Sequence, residues 1–76
     1  MKERIIKILT DIRPEFDFTK KINFIENGML DSFDIVSLVT ALDEEFSISI
    51  DGMDILPGNF SSIDKIGELL NKKGIR

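Results

Sequence analysis

The apolar positions near the start of the chain follow a helical period. They recur at intervals of three and four residues, on one stripe of a helix, and they are Ile5, Ile8, Leu9 and Ile12. Charged side chains occupy the other faces of this segment, MKERIIKILTDIR. Because Pro14 disfavours helical backbone at the residue before it, we predict that the first helix ends near Arg13.

A second helix is predicted from Ser32 to about Phe46, in the segment SFDIVSLVTALDEEF. At about 100° per residue, five apolar side chains share one core-facing arc: Ile35, Leu38, Val39, Leu42 and Phe46. A second arc carries Phe33, Val36 and Thr40, which the first stripe cannot bury at the same time. Two interpretations remain open. Either the preceding loop folds over Phe33 and Val36, or these side chains form a partner-docking patch rimmed by acids.

The segments outside these helices carry weaker signals. Residues 14–30 have no sustained helical period but are rich in aromatic side chains, which predicts a long ordered loop attached to the core. A loop of this length is either functional or contains a helical turn. After the second helix, SISI predicts an extended connection and DGMDIL predicts one short turn of helix.

The last helix has clear boundary signals. Ser61-x-x-Asp64 predicts its start, and basic residues followed by Gly74 predict its end. Gly67 falls on its buried face, which predicts a close approach by another helix. Together the elements predict an all-α fold: a four-helix bundle of three main helices plus one short helix, in a single domain over residues 1–76.

The composition limits the chemistry that the chain can perform. It has no cysteine and no histidine, so it lacks a thiolate nucleophile and the commonest proton shuttle. We therefore predict that the chain is not an enzyme, because a hydrolase using a serine would have no histidine as its base. No apolar run approaches the roughly 18 residues that span a bilayer, and the charged N-terminal segment does not resemble a signal peptide. These features predict a cytoplasmic protein, which we expect to be a monomer.

The charges are distributed unevenly along the chain. The net charge is −4, and residues 22–64 contain nine acidic and no basic side chains. Such a segment repels nucleic acid and attracts a basic partner surface, in a manner that weakens as salt rises. The alternative interpretation is that the acids only solvate the surface.

Ser32 lies at the start of the second helix, beside Asp31. Both residues are good helix N-caps, and Asp31-x-x-Asp34 would place acids where the helix dipole favours them. A cap explains the helix start but not the outward apolar patch. The segment LDSFDIVSLVTALDEEF resembles the modified-serine motif and second helix of the acyl carrier proteins. The likeness extends over essentially the whole chain, and the residues that carry it in this segment are Asp31, Ser32, Phe33, Val36, Leu38, Leu42, Glu44, Glu45 and Phe46.

The resemblance implies that Ser32 carries a 4'-phosphopantetheine arm, transferred from coenzyme A by a separate phosphopantetheinyl transferase. The thiol of the arm would hold acyl or aminoacyl groups as thioesters. The implied partners are this transferase and acyl- or aminoacyl-loading ligase or synthase enzymes with basic docking surfaces. The implied docking residues are Asp31, Phe33, Asp34, Val36, Thr40, Asp43, Glu44 and Glu45.

Some positions depart from the fatty-acid carriers. Ser37 stands where those carriers usually have an acid, and Thr40 replaces a common apolar docking residue. The sequence from Leu30 to Phe33 is similar to the corresponding segment of D-alanyl carrier proteins of cell-wall teichoic acid modification. Many of those proteins have a glycine where this chain has Asp34. The cargo class therefore stays open, as does an unmodified acidic helical adaptor.

Overall fold

The computed structural model describes residues 1–75 of the chain. These residues form no β-strand and three α-helices: α1 (Lys2–Ile12), α2 (Ser32–Phe46) and α3 (Ile63–Lys72). Two 3-10 turns, Gly52–Asp54 and Pro57–Phe60, separate α2 from α3. The prediction of an all-helical chain with three main helices is confirmed. Where one short helix was expected, the chain forms these two turns.

Helices α1 and α2 are antiparallel, with an arginine to carboxylate pair near each end. Arg4 Nε donates to a carboxylate oxygen of Glu45 at 2.7 Å, and Arg13 Nε donates to Asp34 Oδ2 at 2.8 Å. Because Glu45 lies at the end of α2 and Asp34 near its start, the two helices run in opposite directions. The Arg4 guanidinium also lies 4.4 Å from the centre of the Phe46 ring, a cation–π contact.

The three helices share one hydrophobic core. All five apolar residues of the predicted core-facing arc on α2 are buried: Ile35, Leu38, Val39, Leu42 and Phe46. On α1, Ile5 and Leu9 are buried, while Ile8 and Ile12 are partly buried against the same core. Burying a large apolar side chain contributes about 1.5–3 kcal/mol, so this shared core is the main source of stability in so short a chain.

The loop between α1 and α2 is attached to the core by aromatic rings, as predicted. Phe18 and Phe24 are fully buried, and their rings meet edge to face with centroids 5.0 Å apart. The Phe24 N–H donates to the carbonyl oxygen of Ser61 at 2.7 Å, which joins the loop to the segment before α3. Gly28 adopts a left-handed backbone with φ of 70°, which glycine tolerates without strain. The loop consists of turns and contains no regular helix.

The segment after α2 has no regular secondary structure over residues 48–50 and forms no strand, although its first residue, Ser47, lies in a turn. Helix α2 ends because Ser47 takes a left-handed conformation with φ of 53°. The Asp43 carboxylate then accepts a hydrogen bond from the N–H of Ile50 at 3.0 Å. That bond holds the connection against the last turn of α2 without forming a strand.

Helix α3 begins one residue later than the capping pattern indicates. The N-cap is Ser62, whose hydroxyl accepts a hydrogen bond from the N–H of Lys65 at 3.1 Å. The Ser61 hydroxyl donates instead to the carbonyl oxygen of Gly58 at 3.0 Å. Both serines suit a cap, and the backbone leaving the preceding 3-10 turn decides which one serves.

The end of α3 is tied to the first 3-10 turn. Lys73 Nζ lies 3.1 Å from a carboxylate oxygen of both Asp51 and Asp54. The hydrogen bonds to these two carboxylates raise the pKa of Lys73, and the bond to Asp51 has the larger effect. Gly74 follows with φ of 87°, the left-handed conformation that the sequence predicts for the end of the helix.

The prediction of a close helix approach at Gly67 is wrong. A methyl group added at Gly67 would meet nothing nearer than the Met1 side chain, with Cε at 4.0 Å. That is ordinary van der Waals contact and does not require a glycine.

Candidate modification and docking site

A reciprocal capping box builds the start of α2. Asp31 Oδ1 accepts a hydrogen bond from the N–H of Asp34 at 2.9 Å, and Asp34 Oδ2 accepts one from the N–H of Asp31 at 3.0 Å. The N-cap is therefore Asp31, and Ser32 is the first helical residue. Aspartate replaces the more usual glutamate or glutamine at the third helical position, and its shorter side chain still reaches the cap.

Arg13, directly after α1, binds both carboxylates of this capping box. Its Nε donates to Asp34 Oδ2 at 2.8 Å and its Nη2 donates to Asp31 Oδ2 at 3.2 Å. Nη1 donates to Glu15 at 3.3 Å. The hydrogen bond to Asp34 is the largest cause of the raised pKa of Arg13. The pKa of Asp31 is lowered, chiefly because the Asp34 N–H donates to its carboxylate, with the Arg13 charge acting in the same direction.

Ser32 is exposed at the first position of α2. Its hydroxyl forms no hydrogen bond with any side chain or backbone group of residues 1–75. The cap is completed by Asp31, so the helix does not need the serine oxygen. The hydroxyl is therefore available to a large external reactant.

Two apolar side chains of α2 face solvent beside Ser32. Phe33 is 84% exposed and Val36 is 60% exposed, so the interpretation that the loop covers them is wrong. Residues three apart are neighbours on a helix surface, and the two side chains therefore form one outward patch. We call Phe33 and Val36 the α2 patch. Thr40, one turn further along, is exposed and its hydroxyl donates to the Val36 carbonyl oxygen at 3.1 Å.

The acids expected around this patch differ in their availability. Asp34 is only 8% exposed and is held by Arg13, so its inclusion among the outward docking residues is a poor fit to the structure. Asp43 is half-buried, with its carboxylate accepting from Ile50 N–H. Glu45 is paired with Arg4.

The remaining two acids are more open. Glu44 is exposed and has no ion pair within the part of the chain that the structure describes. Asp31 is exposed, although one of its oxygens contacts Arg13. The outward acidic surface at α2 is therefore smaller than the sequence indicates.

Two arginines that organise this surface, Arg4 and Arg13, are not among the residues that the sequence pattern indicates. The helical pattern places Arg4 and Arg13 among the solvated charges on the polar faces of α1, and it does not indicate that either contacts α2. Their spacing of nine residues, about 14 Å along a helix, was the available signal, because it suits pairing with acids at both ends of an antiparallel helix. Met53 and Leu56, which are 88% and 56% exposed between α2 and α3, are likewise not indicated by the sequence pattern.

Two further features bear on what the surface could bind. No group of three or more potential metal-ligating side chains occurs among residues 1–75. Within the same range, every helix is too short or too polar to cross a membrane.

Comparison with known proteins returned no relative. No protein-family model matches the chain, and neither a curated protein nor a solved structure matches it significantly.

Proposed function

We propose that this chain is a carrier protein of the acyl-carrier type, in which Ser32 is the attachment point of a 4'-phosphopantetheine arm. The observation that carries the proposal is the free and exposed hydroxyl of Ser32, at the first position of a helix already capped by Asp31. The acyl-carrier-like bundle and the single domain belong to the same proposal. The three-helix arrangement is compatible with it.

The residues present fit such a group. Ser32 can form the phosphate ester without loss of a hydrogen bond that the fold requires, because Asp31 and Asp34 satisfy the helix start. A phosphate on the first turn of a helix is favoured by the helix dipole. When bound, the arm supplies the thiol that a cysteine-free chain lacks, so that it can hold an acyl group as a thioester.

The chain's own part is to present Ser32 and release its proton to another protein. No histidine is available to activate the hydroxyl, so the general base must come from the transferase. A tethered cargo then reacts at high local concentration with whichever enzyme the carrier docks against.

Docking would use the α2 patch and the open acids. Phe33 and Val36 offer a small apolar contact, and Glu44 with Asp31 offers negative charge to a basic partner. A surface of this size favours fast and transient association that weakens with salt. Transience suits a carrier, because it must leave one enzyme to reach the next.

The cargo class within this proposal is open between acyl and aminoacyl groups. Fatty-acid carriers are the poorer match, since Ser37 and Thr40 remove an acid and an apolar contact from the docking face. The aminoacyl class includes the D-alanyl carriers of teichoic acid modification. Asp34 stands where many D-alanyl carriers have a glycine, so the match to that class is incomplete.

A second candidate is an unmodified acidic adaptor, favoured by the exposure of the α2 patch alone. Phe33 at 84% exposed would serve a basic partner whether or not Ser32 were modified. The two functions differ in their need for the hydroxyl. Ser32→Ala would inactivate the carrier and leave the adaptor intact.

Co-expression with a broad-specificity phosphopantetheinyl transferase, followed by intact-mass measurement, tests the proposal. We expect one pantetheine adduct on the wild-type chain and none on Ser32→Ala. Ser37→Ala is the matched control, because Ser37 is a second exposed serine of α2 and should leave the adduct unchanged. Absence of an adduct with several transferases would reject the carrier and favour the adaptor.

A further inference from the structure

We infer that Arg13 is a positioning residue for Ser32, acting from the end of α1 on the first turn of α2. The inference rests on the proposed function and adds a residue to it. Arg13 does not contact Ser32. It acts through Asp31 and Asp34, the residues that fix the backbone on either side of the serine.

Arg13 donates a hydrogen bond to each of the two carboxylates of the capping box. Nε holds Asp34 Oδ2 at 2.8 Å, and the same oxygen accepts from the Asp31 N–H at 3.0 Å. Nη2 holds Asp31 Oδ2 at 3.2 Å, while Oδ1 of that carboxylate accepts from the Asp34 N–H at 2.9 Å. Each carboxylate is thus fixed from two sides, and Ser32 lies between them in the chain.

The position of Arg13 allows it to link two helices. Its N–H donates to the Leu9 carbonyl oxygen at 2.9 Å, so its backbone is held by the last turn of α1. Asp34 is buried and Arg13 is half-buried, so their contact is partly shielded from bulk water, where such a pair would be weak. Without Arg13, two carboxylates would remain close together with no nearby cation, and the first turn would fray more often.

A purely electrostatic role for Arg13 predicts a change in the KM of the transferase reaction, with kcat unchanged. Removing one positive charge makes the surface near Ser32 more acidic, which should speed encounter with a basic transferase and lower KM. A positioning role predicts a lower kcat, because the hydroxyl is less often presented correctly. The ratio kcat/KM would rise in the first case and fall in the second, so the direction of change in kcat/KM separates the two roles.

Arg4, inside α1, provides a matched control for Arg13, which directly follows that helix. It also holds an α2 carboxylate through Nε, at 2.7 Å from Glu45, and its loss changes the net charge equally. Its pair lies at the end of α2 remote from Ser32. Arg4→Gln should therefore leave the presentation of Ser32 unchanged.

The experiment measures pantetheinylation of the purified apo chain by one transferase, with coenzyme A, at low and high salt. We expect Arg13→Gln to lower kcat by about fivefold at both salt concentrations, the effect expected for loss of one helix-cap interaction. Arg4→Gln should keep the wild-type kcat. Arg13→Lys should recover part of the loss, because lysine restores the charge but not the two-carboxylate contact.

Amide hydrogen exchange supplies a readout that does not depend on modification. In Arg13→Gln the N–H groups of Asp31 and Asp34 should exchange about fivefold faster than in the wild type, with no such change in Arg4→Gln. Circular dichroism checks that both variants keep their helices, and Arg13→Lys replaces Arg13→Gln if the latter unfolds.

Three outcomes would overturn the inference. Arg13→Gln modified as fast as the wild type, or faster, rejects positioning while leaving the carrier proposal intact. Unchanged exchange of the two amides also rejects it. A wild-type chain that accepts no pantetheine from any transferase rejects the proposed function, and this inference with it.

Discussion

Asp31 and Asp34 cap each other's backbone, each carboxylate accepting a hydrogen bond from the N–H of the other residue, at 2.9 and 3.0 Å. This reciprocal arrangement defines where α2 begins. It also leaves the Ser32 hydroxyl free of the hydrogen bonds that cap the helix, which is the basis of the carrier proposal.

Because the capping residue Asp31 is ionisable, the stability of α2 should fall at low pH. Because folding lowers the pKa of Asp31 below its ordinary value of 3.8, its stabilising contribution is complete at neutral pH and above. It is lost as the pH falls through the still lower folded value. We expect thermal melts to show a declining melting temperature below about pH 4.

Asp31→Asn is the control for this acid dependence. Asparagine is an equally good N-cap but carries no charge to titrate. The variant should melt near the wild-type temperature in mild acid and show a shallower decline below it. An unchanged pH dependence would place the acid sensitivity elsewhere in the chain.

Phe33→Ala should weaken partner association without destabilising the fold. The ring is 84% exposed, so its removal costs little core packing. As the largest apolar group of the α2 patch, it should contribute roughly 1–2 kcal/mol to docking, equivalent to a rise of about five- to thirtyfold in the transferase KM. Met53→Ala removes an equally exposed side chain outside α2 and should have a smaller effect. A wild-type KM for Phe33→Ala would remove the α2 patch from the docking surface.

Glu44 and Glu45 should differ in their importance for electrostatic steering. Glu45 is paired with Arg4, whereas Glu44 is open to solvent. We expect Glu44→Gln to lower the association rate by about two- to fivefold at low salt, with the difference disappearing at high salt. Glu45→Gln should change this rate less, because its charge is already offset. Stopped-flow association with the transferase measures both, and equal effects would contradict the pairing.

The cap of α3 can be tested with two adjacent serines. Ser62→Ala removes the hydroxyl that accepts from the Lys65 N–H and should cost about 1 kcal/mol of unfolding free energy. Ser61→Ala removes only a bond to the Gly58 carbonyl oxygen and should cost less. Urea denaturation measures the unfolding free energy of both variants. A larger loss in Ser61→Ala than in Ser62→Ala would identify Ser61 as the N-cap, as the sequence predicts.

The helices could be predicted from the sequence because their apolar periods are strong. The predicted arc of α2 is the buried face, and Pro14 and Gly74 mark helix ends as expected. These signals are local, since a period or a proline acts within a few residues of itself. The position of the α3 cap was missed by one residue because Ser61 and Ser62 have equal capping chemistry.

The features that could not be predicted depend on contacts between distant segments. Nothing near Asp34 in the sequence shows that Arg13 will cover its carboxylate, so an acid of the surface pattern proved to be buried. The exposure of Phe33 was open for the same reason, because it depends on the path of the loop. Helix periodicity shows which side chains share a face, but only the packing decides which faces are covered.

The antiparallel arrangement of α1 and α2 has a practical consequence for assays. The start of α1 lies beside Glu45, and its end lies beside Asp34, two residues after Ser32. Nine residues of helix, about 14 Å, separate these two ends. A biotin or fluorophore placed on the exposed Glu3 position would therefore anchor the chain to a sensor by its far end and leave the serine facing the solution.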